Sequence, residues 1–202
     1  ATISWLLQYA NPLVKVTIVP RGRALGAAWY LPEERQITTR EQMLDEICAT
    51  LGGRAAEELF CGHVSSGAMN DLERVTKQVY SMITYLGMSD KLPNICYYNN
   101  QEYGFQRPYS EATAQLIDEE TKAMIAEQYA RAKDILSKNA EGHAALAQLL
   151  IEREVIFAED VEHIFGPRPW TSRTEELLTE PTPAPAETTE SEEENNETTD
   201  NQ

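Results

Sequence analysis

Between Asn70 and Gly87, the residues Leu72, Val75, Val79, Met82, Ile83 and Leu86 recur every three or four positions, and no other feature constrains the fold of this chain so strongly. That spacing lays an apolar stripe along one face of an α-helix, and such a stripe must be buried against a partner. Two further stripes supply the partners. Met43, Leu44, Ile47, Leu51, Ala55 and Leu59 predict a helix over about 39–60. Ile117, Met124 or Ile125, Gln128, Ala132 and Ile135 predict a long helix that starts at a Ser110 cap and ends near Asn139. Gly87 is placed to stop the middle helix. Shorter helices are expected over 144–151 and 159–165, and another over 1–10, closed by Asn11-Pro12 because the residue before proline avoids the helical region. Gly52 and Gly53 interrupt the first stripe. Each costs about 1 kcal/mol relative to alanine in a helix interior, so the pair should have a packing reason such as close helix approach.

The period changes near the start of the chain. Val14, Val16 and Ile18 alternate with Lys15 and Thr17 as far as Pro20, which reads as a half-buried strand. Gly22 breaks it, and a second β-like run follows over 25–31 with Trp29 and Tyr30. An exposed edge of such a sheet can pair with an extended polypeptide or simply be covered by a neighbour. The stretch 89–108 is rich in Asn, Tyr and Pro and reads as loop, with one short strand expected around 95–97. From Glu175 the composition collapses into Glu, Thr, Pro and Asn, and nothing apolar follows Leu178 except Ala184 and Ala186. Such a tail cannot offset its ordering entropy by burial and is expected to be disordered, a solvating segment rather than a site. The expected fold class is therefore mainly α: a helical domain over 1–174 with a small β element near its N-terminus, and a disordered acidic tail over 175–202.

Charge and cysteine usage narrow the function classes. The formal charge of −16 is concentrated in the tail, which holds ten acids and no Lys or Arg; the remaining 23 acids face 17 bases. A mildly acidic body without a basic stripe makes nucleic acid an unsuitable partner. No stretch approaches the roughly 20 apolar residues a spanning helix needs, so the segment itself should be soluble. Cys48, Cys61 and Cys96 are odd in number, far apart and without a C-x-x-C pair, and read as incidental thiols of a reducing compartment. The chain opens on Ala1 with no charged and apolar leader, and the expectation is that it is a fragment.

The standard chemical motifs are absent. There is no G-x-x-x-x-G-K-[ST] or G-x-G-x-x-G run to cradle phosphate and no G-x-S-x-G elbow. His63, His143 and His163 lie 80 and 20 residues apart, show no ligand spacing, and read as surface or capping residues. Ser65 to Arg74 concentrates small residues and then carboxylates at a helix start. The plain reading of Asp71 is capping, since the helix dipole favours an acid there. Arg54, Glu57 and Glu58 lie one turn apart and suit a surface ion-pair set.

Three runs at fixed order add what spacing cannot: 51–58 (Leu-Gly-Gly-Arg-Ala-Ala-Glu-Glu), 66–76 (Ser-Gly-Ala-Met-Asn-Asp-Leu-Glu-Arg-Val-Thr) and 87–89 (Gly-Met-Ser). Together they closely resemble the peptidase domain of FtsH-type ATP-dependent zinc metalloproteases, and 16–22, Leu25-Gly26 and 30–32 resemble the same family. The likeness spans about 1–173. It implies a helical metalloprotease domain, with a catalytic-site part over 1–108 and a helical subdomain over 109–174 that helps pack protomers into a six-membered ring. Zinc in that family is held by two His of an H-E-x-x-H helix and by the Asp of a G-A-x-N-D motif, and Asp71 matches that third ligand. Glu57 resembles a glutamate near the metal, to which the resemblance gives a supporting role, orienting a ligand without binding zinc.

The family's H-E-A-G-H motif lies immediately before a segment like 1–5, so both His ligands and the general-base Glu are absent from this chain, as are the membrane helices and the ATP-using module. The resemblance thus implies part of a membrane-anchored, ATP-dependent zinc endopeptidase of unfolded or short-lived polypeptides. Its peptidase domain would lie on the cytoplasmic side, bacterial in source, and the segment would be inactive alone. A non-catalytic helical oligomerisation module is the alternative.

Overall fold

The computed structural model describes residues 1–20, 22, 26–31, 37–97 and 108–170. Helices dominate: α1 (Thr2–Leu6), α2 (Arg40–Ala56), α3 (Met69–Thr84), α4 (Glu111–Lys138), α5 (Ala140–Arg153) and α6 (Ala158–Phe165), with strands β1 (Leu13–Thr17), β2 (Ala27–Tyr30) and β3 (Val155–Phe157). The expected tail over 175–202 lies outside the described residues.

The three apolar stripes meet as expected. Ile47 and Leu51 of α2, Val75, Val79, Met82 and Ile83 of α3, and Ile117 and Met124 of α4 form one buried cluster. Helix starts carry their caps: Thr39 Oγ1 accepts from the Gln42 amide and Gln42 Oε1 from the Thr39 amide, and Ser110 Oγ accepts from the Thr113 amide. Gly87 ends the α3 turn at φ +60, where a Cβ would stand 2.9 Å from the Asn94 nitrogen, so both its backbone angle and its surroundings call for glycine. Helix α1 lies across α2, with Ile3 and Leu7 packed beside Cys48, Ala55, Ala132 and Leu136. Gly52 has the packing reason its cost demands, because a Cβ there would fall 2.8 Å from Ile3 Cδ1; Gly53 has none, with nothing within 4 Å.

The small sheet has order β2-β1-β3, both pairs antiparallel. Its register shifts between Leu13 and Lys15. Strict alternation would put Leu13 and Val16 on opposite faces, but the irregularity brings both into the third cluster, with Trp5, Leu146, Ile156 and Val161. Val14 and Ile18 are left exposed.

Several sequence expectations give way to tertiary structure. The helix predicted over 39–60 is α-helical only to Ala56, and Glu57–Cys61 continues it as a π-turn. Leu59 therefore leaves the buried stripe and is exposed, as is Leu86 beyond the end of α3. No strand forms at 95–97; the only bridge there joins Met88 to Pro93, and the Tyr97 amide bonds the Thr84 carbonyl. Helix α1 stops at Leu6 instead of running to 10, while α5 is longer than 144–151. Strand β3 was not legible because three residues are too few to show a period.

Candidate functional site

The residues singled out by sequence, Glu57 and Asp71, flank one loop. Gly62 leaves the π-turn at φ +71, and the chain then enters a short 3-10 turn, Ser66–Ala68, that feeds directly into α3. Ser65 starts this turn, its hydroxyl accepting from the Gly67 amide at 3.2 Å. Glu57 reaches across to grip the same residue: the Ser65 amide donates to Oε2 at 3.1 Å and the Ser65 hydroxyl to Oε1 at 2.5 Å. Arg54 Nη1 stands 3.8 Å from the carboxylate. The Ser65 hydroxyl above all, then its amide, then Arg54 and His63, hold the Glu57 carboxyl below the ordinary carboxylate range against a smaller opposing effect of desolvation. Gly67 gives this grip room, since a Cβ on it would sit 3.3 Å from Ser65 Oγ.

Asp71 is exposed in the first turn of α3. Capping does not account for it. The helix is capped at Ala68 without a side-chain bond, and among the described residues Asp71 takes neither a hydrogen bond nor an ion pair. The dipole still favours a carboxylate at that position. Its charge is felt at the Tyr30 hydroxyl, which burial pushes above its ordinary pKa; a hydrogen bond from Ser4 opposes that shift and Asp71 adds to it. Ser4 Oγ donates to Tyr30 Oη at 3.3 Å. The Asp71 carboxylate, without a bonding partner among the described residues, is thus within electrostatic reach of the end of β2. Glu57 and Asp71 share no hydrogen bond and are linked only through the loop between them.

Sequence reasoning missed Tyr30 as a group that feels the charge of Asp71, and it misread His143. His143 is half-buried: its Nδ1 lies 3.0 Å from Thr2 Oγ1, and its ring stacks on Phe60 with centroids 4.7 Å apart and 21° between planes. Burial, and then the neighbouring N-terminal charge, push its pKa down. No sequence period could announce a contact between residues 141 positions apart. His63 is exposed, with Nδ1 donating to the Cys61 carbonyl at 2.8 Å, and His163 is exposed as well. Beside Thr2 the Ala1 amine is buried, which lowers its pKa to about 6.

Among the described residues no three His, Cys, Asp or Glu side chains come together as a metal site. A catalytic zinc takes three protein ligands, so Asp71 suits the role of one oxygen donor and cannot form a site alone. Residues 1–164 match the model of peptidase family M41. The chain belongs to that family. It is 71% identical over 180 residues to the ATP-dependent zinc metalloprotease FtsH of Parabacteroides distasonis, covering 88% of this chain and 26% of that protein. The FtsH of Karelsulcia muelleri is 50% identical over 167 residues (81% and 27%), and the mouse mitochondrial inner membrane m-AAA protease component AFG3L2 is 41% identical over 176 residues (86% and 22%). The FtsH-type likeness read from 51–58 and 66–76 is thus borne out, and so is the mainly helical fold with its small sheet. The chain spans about a quarter of the length of the curated relatives it matches. Among the described residues no helix is long and apolar enough to cross a membrane.

Proposed function

We propose that this chain is the C-terminal part of a membrane-anchored, ATP-dependent zinc metalloendopeptidase, and that Asp71 is one of its zinc ligands. The observation that carries this reading is the Asp71 carboxylate, without a bonding partner among the described residues, at a helix start fed by a loop that Glu57 grips. The two His ligands and the general-base Glu belong to a segment preceding Ala1. Zinc, when bound, supplies a Lewis acid and an acidified water. Asp71 binds it as an oxygen donor, and Glu57 orients Asp71 indirectly, by fixing Ser65 and the turn into α3.

The polypeptide substrate docks on β2. This strand is outermost in the order β2-β1-β3, and it ends at Tyr30, whose hydroxyl feels the charge of Asp71. Backbone hydrogen bonds along an edge are indifferent to side-chain identity, which suits unfolded or short-lived substrates. Residues 1–108 form the catalytic-site part, 109–174 the helical subdomain that packs protomers into a six-membered ring, and 175–202 a solvating tail. The peptidase domain lies on the cytoplasmic side of a bacterial membrane, with ATP used by a module outside this chain.

The test compares the full-length protein with its Asp71→Asn variant. Expected are loss of bound zinc and of casein hydrolysis with ATP turnover retained, and weak zinc binding by residues 1–202 alone. Unchanged casein hydrolysis, or one tightly held zinc per isolated chain, overturns the assignment. A full-length protein that assembles but neither binds zinc nor cuts casein is instead the non-catalytic oligomerisation module.

A further inference from the structure

The adjacent glutamates that open the π-turn are turned to different tasks, and Glu57 accounts for only one of them. Glu58 points at α4. Its Oε2 accepts from the Tyr129 hydroxyl and its Oε1 from Lys133 Nζ at 3.1 Å, while Lys133 Nζ also lies 4.8 Å from the centre of the Tyr129 ring. The same tyrosine hydroxyl stands 3.5 Å from the Arg54 carbonyl, in the last α-helical turn before the π-turn. Tyr129 and Lys133 are one turn apart on α4, a helix fixed in two buried clusters through Ile117, Met124, Ala132 and Leu136. Single π-turns inside helices recur at functional sites because the extra residue re-aims the side chains that follow.

We propose that Glu58, Tyr129 and Lys133 act together as positioning residues for Asp71, a latch through which α4 sets the π-turn and thereby the loop that delivers Asp71. This rests on the reading of Asp71 as a zinc ligand. The mechanical path is continuous: α4 holds Glu58, the π-turn carries Glu57 next to it, Glu57 holds Ser65 by two bonds, and Ser65 starts the turn that becomes α3. A purely stabilising role does not explain the arrangement. The Glu58 and Lys133 side chains are 46% and 32% exposed, and ion pairs that open to water add little to global stability. Their geometry matters for where the loop sits. The α4 groups touch neither zinc nor substrate, so they are positioning and not catalytic residues.

The experiment uses the full-length protein with Tyr129→Phe, Lys133→Met, and the charge swap Glu58→Lys with Lys133→Glu, beside Asp71→Asn as a control. Amide exchange is read at residues 62–71, zinc affinity by competition with a chelator, and folding by the thermal midpoint. Loss of outer partners of a metal ligand costs about ten-fold or more in metal affinity. Tyr129→Phe and Lys133→Met are therefore expected to weaken zinc binding about ten-fold and to speed exchange at Ser65 and Gly67 by a similar factor. The thermal midpoint should stay in place, and the swap should recover part of both losses. Exchange and zinc affinity within two-fold of the parent protein in both single variants overturn the latch. Should Tyr129→Phe fail to fold, Lys133→Met, at a half-buried position, decides alone. If Asp71→Asn keeps its zinc, the ligand reading falls, and the exchange data still judge whether α4 sets the loop.

Discussion

Gly52 and Gly53 stand side by side in α2 and should answer to alanine in opposite ways. A Cβ on Gly53 meets nothing within 4 Å, so Gly53→Ala gains helix propensity and loses unfolded-state entropy, together about 1 kcal/mol of stability. At Gly52 the new carbon lands 2.8 Å from Ile3 Cδ1, 3.5 Å from Cγ1 and 3.8 Å from Cβ. Only the first of these is a clash. Ile3 is 3% exposed, so its terminal methyl has little room to retreat. Overpacking of this kind costs about 1–3 kcal/mol, which cancels or exceeds the propensity gain and leaves Gly52→Ala between neutral and about 2 kcal/mol destabilising. Ile3→Val removes Cδ1 and costs about 0.5–1.5 kcal/mol alone. Combined with Gly52→Ala it should cost less than the sum, with a coupling of about 1 kcal/mol. Urea unfolding of the parent, the two single variants and the double variant, compared at equal denaturant slope, measures that coupling. Equal stabilisation by alanine at both glycines, or strict additivity of Gly52→Ala with Ile3→Val, would show that α1 does not press on α2 as described. The contact matters for function, because α1 carries Ser4 to Tyr30 and Thr2 to His143.

Two predictions concern ionisable groups. Because the folded pKa of Glu57 is depressed below 4.5, its grip on Ser65 is complete above that value and is lost only as the pH falls through the lower folded pKa. The Ser65 amide resonance should therefore titrate with a midpoint under 4.5, and a midpoint at or above it contradicts the Ser65–Glu57 bonds. Cys48 is buried and its thiol is pushed up to about 11, chiefly by desolvation, whereas Cys61 and Cys96 are exposed. Iodoacetamide at pH 8 should leave Cys48 unmodified until the chain unfolds, and mass spectrometry showing early labelling of Cys48 refutes that burial.

Periodicity in the sequence placed the central three helices, because stripes such as Val75, Val79, Met82 and Ile83 allow one buried face and one solvent face. Local chemistry likewise announced the cap at Ser110, whose bond spans three residues. The ordered motifs around Glu57 and Asp71 gave the family. What they could not give is the arrangement of the site. The π-turn, the shift of register in β1 and the short strand β3 carry no period, and each arises from contacts made by distant parts of the chain.

Asp71 illustrates the boundary. Position alone suggests a helix cap, and only the folded molecule shows a carboxylate without a bonding partner among the described residues, close enough to Tyr30 to raise its pKa. His143 and Tyr129 make the same point from the other side. Nothing in their neighbourhood of sequence marks them, yet one pins Thr2 and the other holds Glu58. The sequence by itself determined which faces of the central helices are buried and which family's motifs are present, since those depend on residues within a few turns. The tertiary structure decided how groups such as Glu58 and Lys133 pair, because that pairing needs elements more than 70 residues apart to meet in space.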